Sequence, residues 1–279
     1  MSRIGQVIRR AGKYILHGVP VNNITASIQV SQPERCFDGK HIIVTGGGRG
    51  LGYAIAKKLH SGGAKVLISG RDEKTLRQSA EEIGCNWLQL DVQNVEHFPT
   101  FITKAEEILG GLDCLVNNAG ISLHESSFLD VTPDGFDRQF NTNLRGAFFL
   151  TQQFISFIER RGQDGGVVLF ISSETGDTVD LRPYGLSKAA VNSLVQGLAH
   201  AYASRNIRIN AVAPGVTATD MTGVKSDNLY YSDSTINRAY LPEEMAEVAC
   251  FLLSDLSGCV SGQIITCNNA KTVNARWKK

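Results

Sequence analysis

His41-Ile42-Ile43-Val44-Thr45-Gly46-Gly47-Gly48-Arg49-Gly50-Leu51-Gly52 is the stretch from which the rest of the chain is read. An apolar run ends in a glycine turn, and Tyr53-Ala54-Ile55-Ala56-Lys57-Lys58-Leu59 continues with helical spacing. The order is strand, tight turn, helix. A helix N-terminus leaves backbone N–H groups unpaired and carries partial positive charge, so it attracts phosphate. Glycines let the backbone approach that phosphate closely. Gly46, Gly48, Arg49, Gly50, Leu51 and Gly52 are therefore candidate contacts of a dinucleotide. Taken alone, such a run also describes a flexible turn, and its context decides.

Downstream, apolar runs alternate with longer helical segments. Strands are expected at His41–Thr45, Lys65–Ser69, Asn86–Leu90, Leu112–Val116, Val167–Ile171, Ile207–Val212 and Gln263–Cys267. Helices are expected at Gly50–Ser61, Asp72–Ile83, Val95–Leu109, Pro133–Arg160, Tyr184–Ser204 and Glu243–Ser254. Helical crossovers between successive strands force a parallel sheet covered on both faces. The fold class is α/β: a single doubly wound, Rossmann-like domain with a seven-stranded parallel sheet, which binds ligands at the carboxyl ends of its strands.

The 279 residues are enough for one large domain, assigned to 37–270, with a basic arm at 1–36 and a basic tail at 271–279. A net charge of +1 gives no general attraction to nucleic acid, which is disfavoured as a partner. Six cysteines are scattered without a CxxC pair and read as reduced; no metal site is expected. No apolar run has the roughly 20 residues of a membrane span. A cytoplasmic protein is expected, with organelle targeting by the arm left open.

Met1 to Pro33 contains Arg3, Arg9, Arg10 and Lys13 but no Asp or Glu. Ile4, Val7, Ile8, Ala11 and Ile15 recur at helical spacing, and Asn23 to Val30 alternates like a strand. Three readings compete: a docking arm, favoured; an interfacial membrane helix; and a targeting peptide.

After the second strand stands Ser69-Gly70-Arg71-Asp72. An acid at this strand end binds a ribose 2′-hydroxyl, whereas an arginine accommodates a 2′-phosphate. Gly70 occupies the acid's place and Arg49 and Arg71 are available, so NADP(H) is preferred and NAD(H) remains possible. In the bland reading Arg71 is a solvated turn residue and Asp72 only caps a helix. Asp91-Val92 closes the third strand, where the carboxylate serves either adenine or a helix cap. The fourth ends in Asn117-Asn118-Ala119-Gly120, whose amides can bridge strands while Gly120 admits the cofactor.

Tyr184 and Lys188, four apart, share a helical face. A phenol with a pKa of about 10 is a poor acid–base catalyst near neutrality. A neighbouring ammonium lowers that pKa. Ser172-Ser173 at the preceding strand end offers a hydroxyl to hold a carbonyl oxygen, although serines there are often turn formers.

With these elements assembled, the chain resembles a short-chain dehydrogenase/reductase of the single-domain type from about Phe37 to Cys267. The matching elements, in order, are Thr45–Gly52, Asn117–Gly120, Asn143-Leu144, Ile171–Ser173, Tyr184-x-x-x-Lys188 and Asn210–Gly215. The resemblance implies a catalytic tetrad of Asn143, Ser173, Tyr184 and Lys188. Tyr184 would exchange a proton with the substrate oxygen as hydride moves, and Ser173 would orient that oxygen. Lys188 would bind ribose and depress the phenol's pKa, and Asn143 would hold a relay water. It also implies that Pro214, Gly215, Val216 and Thr219 reach the nicotinamide and phosphate, that Thr45 braces the glycine turn, and that copies assemble as a homodimer or homotetramer.

Two stretches depart from the common pattern. Between Ser173 and Tyr184 stand Glu174, Asp177, Asp180 and Arg182, which leaves Ser172 and Ser173 both open and implies a polar mouth. Cys267-Asn268-Asn269-Ala270 replaces the usual Asp-Gly-Gly ending. Substrate choice is expected in a lid, Met221 to Leu241, with Lys225, Tyr230, Tyr231 and Arg238, and in a loop, Ile121 to Asp130, with His124 and Glu125. The resulting expectation is an enzyme interconverting a small-molecule ketone and alcohol. Alternatives are a 3-oxoacyl-[acyl-carrier-protein] reductase, through basic groups Arg160, Arg161 and Arg205, and a non-catalytic NADP-binding scaffold or sensor.

Overall fold

The computed structural model describes residues 23, 25, 36–163 and 165–273. The amphipathic helix and strand expected in the arm, and the basic tail from Ala275 to Lys279, lie outside the described residues. Seven strands form one parallel sheet: β1 (His41–Thr45), β2 (Lys65–Gly70), β3 (Asn86–Gln89), β4 (Cys114–Asn117), β5 (Gly166–Ile171), β6 (Ile207–Pro214) and β7 (Ile264–Cys267). Their order is β3-β2-β1-β4-β5-β6-β7. The direction of winding reverses between β1 and β4, which opens a crevice at their carboxyl ends.

Helices α1 (Gly50–Ser61), α2 (Glu73–Ile83), α3 (Phe98–Leu109), α4 (Pro133–Phe140), α5 (Ala147–Arg161), α6 (Pro183–Tyr202) and α7 (Pro242–Leu253) cover both faces. Strand side chains alternate between faces, and the core divides accordingly. Ile42 and Val44 pack with Ile55 and Leu59 of α1 and Ala249 of α7, whereas Ile43 packs with Phe98 and Ile102 of α3 and Phe154 of α5. Each such Ile, Val, Leu or Phe side chain, fully buried, contributes about 1.5–3 kcal/mol.

The helix expected to run unbroken from Pro133 to Arg160 is interrupted. Asn141–Gly146 forms a π-helical turn between α4 and α5. At Gly146 a Cβ would overlap the Val92 carbonyl oxygen, so the turn presses against the end of the third strand region. Periodicity does not reveal one extra residue in a turn. Among the described residues no helix is long and apolar enough to cross a membrane. The cysteines at 36, 85, 114, 250, 259 and 267 are free thiols.

Candidate active site

The glycine loop is fixed from three sides. Gly47 N donates to the Ser69 carbonyl at 3.1 Å, and Ser79 Oγ on α2 donates to the Gly48 carbonyl at 2.7 Å. Asn118 Nδ2 donates to the Thr45 and Gly46 carbonyls at 2.9 and 3.0 Å. Gly46 adopts a φ of +64°, and a Cβ at Gly52 would overlap both the Gly46 carbonyl oxygen and Asn118 Nδ2. Thr45 Oγ1 accepts from the N–H groups of Asn118 and Ala119 at 3.0 and 3.1 Å and donates to the Val116 carbonyl. Thr45 thus ties β1 to the end of β4 and holds Asn118, whose amide together with Ser69 and Ser79 fixes the glycine turn.

Helix α1 starts without a side-chain cap and without an acidic residue in its first turn. Helix α2 starts differently: Asp72 Oδ1 accepts from Thr75 N at 2.7 Å. Thr75, through its side chain first and this N–H second, with Lys74 and Arg49 nearby, holds the Asp72 carboxyl below the usual carboxylate range. The capping reading of Asp72 is therefore the observed one. Arg71 is exposed, and its carbonyl accepts from Gln89 Nε2 at 2.7 Å. Arg49 is exposed and stands 3.7 Å from Asp220. Asp91 Oδ1 accepts from Gln93 N at 3.0 Å in a local turn, and Val92 is buried.

Across the crevice Gly215 N donates to the Cys267 carbonyl at 3.0 Å, and Tyr240 N donates to the Val216 carbonyl at 2.9 Å. A Cβ at Gly50 would stand 3.3 Å from Thr219 Cγ2, so the glycine loop and the segment after β6 meet. Gly120 lies between Asn143 and Lys188, within ordinary contact of both side chains.

Asn143 sits in the π turn and is 2% exposed. Its amide donates to the Ile121 carbonyl at 2.9 Å and to Ser187 Oγ at 3.1 Å, while its Oδ1 accepts from Ile121 N at 2.8 Å. Ser187 Oγ donates in turn to the Tyr184 carbonyl at 2.7 Å. A buried amide with its donors and acceptor satisfied fixes its neighbours rather than moving. It locks the loop after β4 to the first turn of α6, which carries Tyr184 and Lys188.

The two serines diverge. Ser172 Oγ, buried, donates to Asn192 Oδ1 at 2.5 Å in the interior. Ser173 Oγ accepts from Thr175 Oγ1 at 3.0 Å and acts on the Tyr184 phenol, favouring its anion. Ser173 is the serine that meets the tyrosine.

Lys188 Nζ donates to the Ile171 carbonyl at 2.7 Å and stands 5.6 Å from the centre of the Tyr184 ring. Burial pushes its ammonium down to about 8. The Tyr184 phenol is raised above its ordinary value by burial, which the nearby Ser173 hydroxyl opposes and the Glu174 charge reinforces. This is opposite to the direction expected from a neighbouring ammonium. The physical reason is desolvation of the phenolate, with Lys188 committed to a backbone carbonyl.

On the substrate side the charged groups have partners of their own. Arg238 does not stand free in the lid: it makes a two-pronged pair with Glu244 at 2.7 and 2.7 Å. Glu125 accepts from Gln139 Nε2 at 2.6 Å, and the His124 ring bonds the Met221 carbonyl at 2.8 Å, linking loop to lid. Arg160 and Arg161 end α5 just before β5, and Arg205 precedes β6. All three lie at the amino edge of the sheet, opposite the crevice. Arg161 pairs with Glu106, and Arg205 with Glu159 at 3.8 Å.

A family model described as enoyl-(acyl carrier protein) reductase matches residues 46–269. The chain belongs to the short-chain dehydrogenase/reductase family. It is an enzyme of the class acting on CH–OH and C=O groups. Among short-chain dehydrogenase/reductases, 3-oxoacyl-[acyl-carrier-protein] reductase FabG of Aquifex aeolicus (strain VF5) is 34% identical over 243 residues, covering 83% of this chain and 97% of that one. A 3alpha-hydroxysteroid dehydrogenase of Mediterraneibacter gnavus is 34% identical over 247 residues, with 83% and 96% covered. The crystal structure of 3-ketoacyl-(acyl-carrier-protein) reductase from Brucella melitensis, complexed with NADH, superposes with a TM-score of 0.78 at 29% identity, over 85% of this chain and 99% of that chain.

The residues that sequence reading of this family member passed over are Ser79, Ser187 and Lys271. Ser79 and Ser187 lie on helix faces without a motif. Helical spacing placed Ser187 on the same turn as Tyr184 and Lys188, which was the available signal.

Proposed function

We propose that this short-chain dehydrogenase/reductase is NADP(H)-dependent and interconverts a ketone and a secondary alcohol on a small molecule, with Tyr184 as general acid and base. The observation carrying this reading is the convergence of Ser173, Tyr184, Lys188 and Asn143 beside the uncapped start of α1. The residues present fit a dinucleotide, because the open α1 N-terminus faces the segment containing Thr219 across Gly50. Gly46, Gly48, Gly50, Leu51 and Gly52 would cradle the pyrophosphate. Asp91 and Val92 would border the adenine. Asn118, Ala119, Gly120, Pro214, Gly215, Val216 and Thr219 would line the path to the nicotinamide.

The preference for NADP(H) is supported by charge. Gly70 supplies no carboxylate, Asp72 is turned into the α2 cap, and Arg49 and Arg71 are exposed cations on the same side. Each guanidinium can form a charge-assisted, two-pronged bond to a 2′-phosphate.

A bound dinucleotide supplies or accepts the hydride. Ser173 Oγ donates to the substrate oxygen and orients it. The Tyr184 phenol gives that oxygen its proton during reduction and takes it back during oxidation. Lys188 holds a ribose hydroxyl and offsets the phenolate charge, and Asn143 keeps the loop after Gly120 in register with α6. Phe136, Phe148 and Leu186 are exposed apolar groups on α4, α5 and α6, suited to cover by a second copy in a homodimer or homotetramer.

A second reading, reduction of a 3-oxoacyl thioester, is favoured by the printed activities of the Aquifex aeolicus and Brucella melitensis relatives. Fluorescence titration with NADPH and NADH, followed by turnover of a panel containing a sugar ketone, a steroid ketone, a quinone and a 3-oxoacyl thioester, tests both. Tighter binding of NADH would reject the cofactor preference. Undiminished turnover by Tyr184→Phe would reject the catalytic assignment, and activity confined to the thioester would select the second reading.

A further inference from the structure

Among the described residues, the stretch 215–241 contains no helix and no strand of the sheet. So long a loop keeps one shape only where other segments hold it. Its base is fixed by Tyr240 N on the Val216 carbonyl at 2.9 Å and by Ala218 N on the Tyr240 carbonyl at 2.8 Å. Near the start of the lid the His124 ring reaches the Met221 carbonyl at 2.8 Å. The outer part, 231–237, closes on itself through Tyr231 N on the Asn237 carbonyl at 3.1 Å, and most of its residues are exposed. The C-terminal segment is what holds that outer part to the body.

On the lid side, Thr235 Oγ1 donates to the Asn269 carbonyl at 2.8 Å, and Lys271 Nζ donates to Asp233 at 2.8 Å and lies 5.8 Å from the Tyr231 ring centre. On the body side, the same ammonium donates to Glu174 Oε1 at 3.1 Å, and Asn268 Nδ2 donates to Glu174 Oε2 at 3.0 Å. Glu174 is only 7% exposed and follows β5 directly, so it is a fixed anchor. Lys271 therefore bridges a buried carboxylate of the body to an exposed carboxylate of the lid. The segment reaches this position through unusual backbone: Asn269 and Ala270 have φ of +49° and +63°, the left-handed region that an alanine avoids. Such strain persists only where surrounding contacts fix it, so the docked segment relaxes when they are lost.

We propose that residues 268–272 are a strap that keeps the lid shut before any ligand binds, with Lys271 as its clasp, and that release of the strap sets how fast the crevice exchanges its ligand. The lid passes movement inward by direct contacts. Gly223 N donates to the Thr219 carbonyl at 3.0 Å and Thr222 Oγ1 to the Thr217 carbonyl at 2.6 Å. Thr219 in turn stands against the glycine loop, where a Cβ at Gly50 would lie 3.3 Å from its Cγ2. Opening the outer lid thus loosens the wall that faces the start of α1. The effect on ligand exchange rests on the crevice being the dinucleotide site proposed above; the closed lid itself does not.

Hydrogen exchange read by mass spectrometry on the full chain, without dinucleotide, tests the strap: lid peptides carrying the Tyr231, Asn237 and Ala239 amides are compared with peptides of β1. Lys271→Met should speed lid exchange about fivefold or more and leave β1 unchanged. Ala270→Pro, with φ fixed near about −65°, cannot make the bend and should match it while Lys271 stays in place. Lys271→Arg, whose guanidinium can also bridge two carboxylates, should stay within about twofold of the parent. Unchanged lid exchange in Lys271→Met and Ala270→Pro, or an equal rise in β1, would overturn the proposal. Stopped-flow displacement of bound NADPH then reads the crevice: release should quicken about threefold or more in Lys271→Met and Ala270→Pro and not in Lys271→Arg. Faster lid exchange with unchanged release overturns the gating role. A chain that binds neither NADPH nor NADH rejects the dinucleotide reading, and lid exchange still decides the strap.

Discussion

The two sides of the crevice are built differently. On the β1 to β4 side, the loop is shaped by backbone approach: Gly52 against the Gly46 carbonyl, Asn118 across two carbonyls, Ser79 on the Gly48 carbonyl. On the β5 to β7 side, shape comes from side-chain ion pairs and hydrogen bonds, most of them between distant segments: Glu174 with Lys271, Asp177 with Thr266 and Asn192, and more locally Arg238 with Glu244. The first side suits a ligand whose phosphates and ribose are always the same. The second can be rebuilt by exchanging a few charged residues, which is where relatives acting on different carbonyls would diverge.

The sharpest way to separate the sides is Tyr184→Phe. It should lower turnover by about 10²–10⁴-fold while leaving dinucleotide affinity within about twofold, measured by steady-state kinetics and fluorescence titration. A large loss of dinucleotide affinity would break the division. Because the Tyr184 pKa is raised, the proton-donating phenol predominates through neutral pH. Carbonyl reduction should therefore hold its rate there, and alcohol oxidation should climb as pH rises, read from pH–rate profiles.

Lys188 belongs to both sides, and its burial has a signed consequence for stability. Its pKa is lowered from 10.5 to about 8, so its cation is penalised in the folded state below about pH 8, and the penalty fades as pH rises towards 10.5. Relative to the parent, Lys188→Met should lose a stability advantage of about 3 kcal/mol across that window. Unfolding of the two proteins in denaturant at several pH values checks it, and a constant difference would contradict it.

On the dinucleotide side, Arg49→Ala with Arg71→Ala should weaken NADPH about 10–100-fold and leave NADH nearly unchanged. Arg49→Asp should weaken both, since it places a carboxylate at the open start of α1. The smallest effect is expected in the lid. Arg238→Met breaks a partly buried pair and should cost about 1 kcal/mol of stability, visible as a lower Tm, with KM changing more than kcat.

The same contrast explains what the amino-acid sequence revealed. β1 and the glycine loop were legible because apolar alternation and glycine spacing are local signals, and β1 ends where expected, at Thr45. Tyr184 and Lys188 were legible because helical spacing is local too. The choice between Ser172 and Ser173 was not, because it depends on Asn192, 20 residues away, taking the first hydroxyl. The partner of Glu174 was hidden for the same reason: a charge reveals nothing about the opposite charge that folding brings to it from 97 residues away. The direction of the Tyr184 shift needed burial, which a motif does not encode.

The π turn at Asn141–Gly146 has a consequence for how this region can change over generations. It holds one residue more than a regular helical path would use. Deleting that residue would relax the turn into an ordinary α-helix and swing everything before it about 100° around the axis. Asn143 would leave Ile121 and Ser187, and Phe136 would turn to another side of the protein. Insertions and deletions are therefore closed to this stretch even though its surface positions remain free to mutate, and the length from Pro133 to Arg161 is itself an inherited trait.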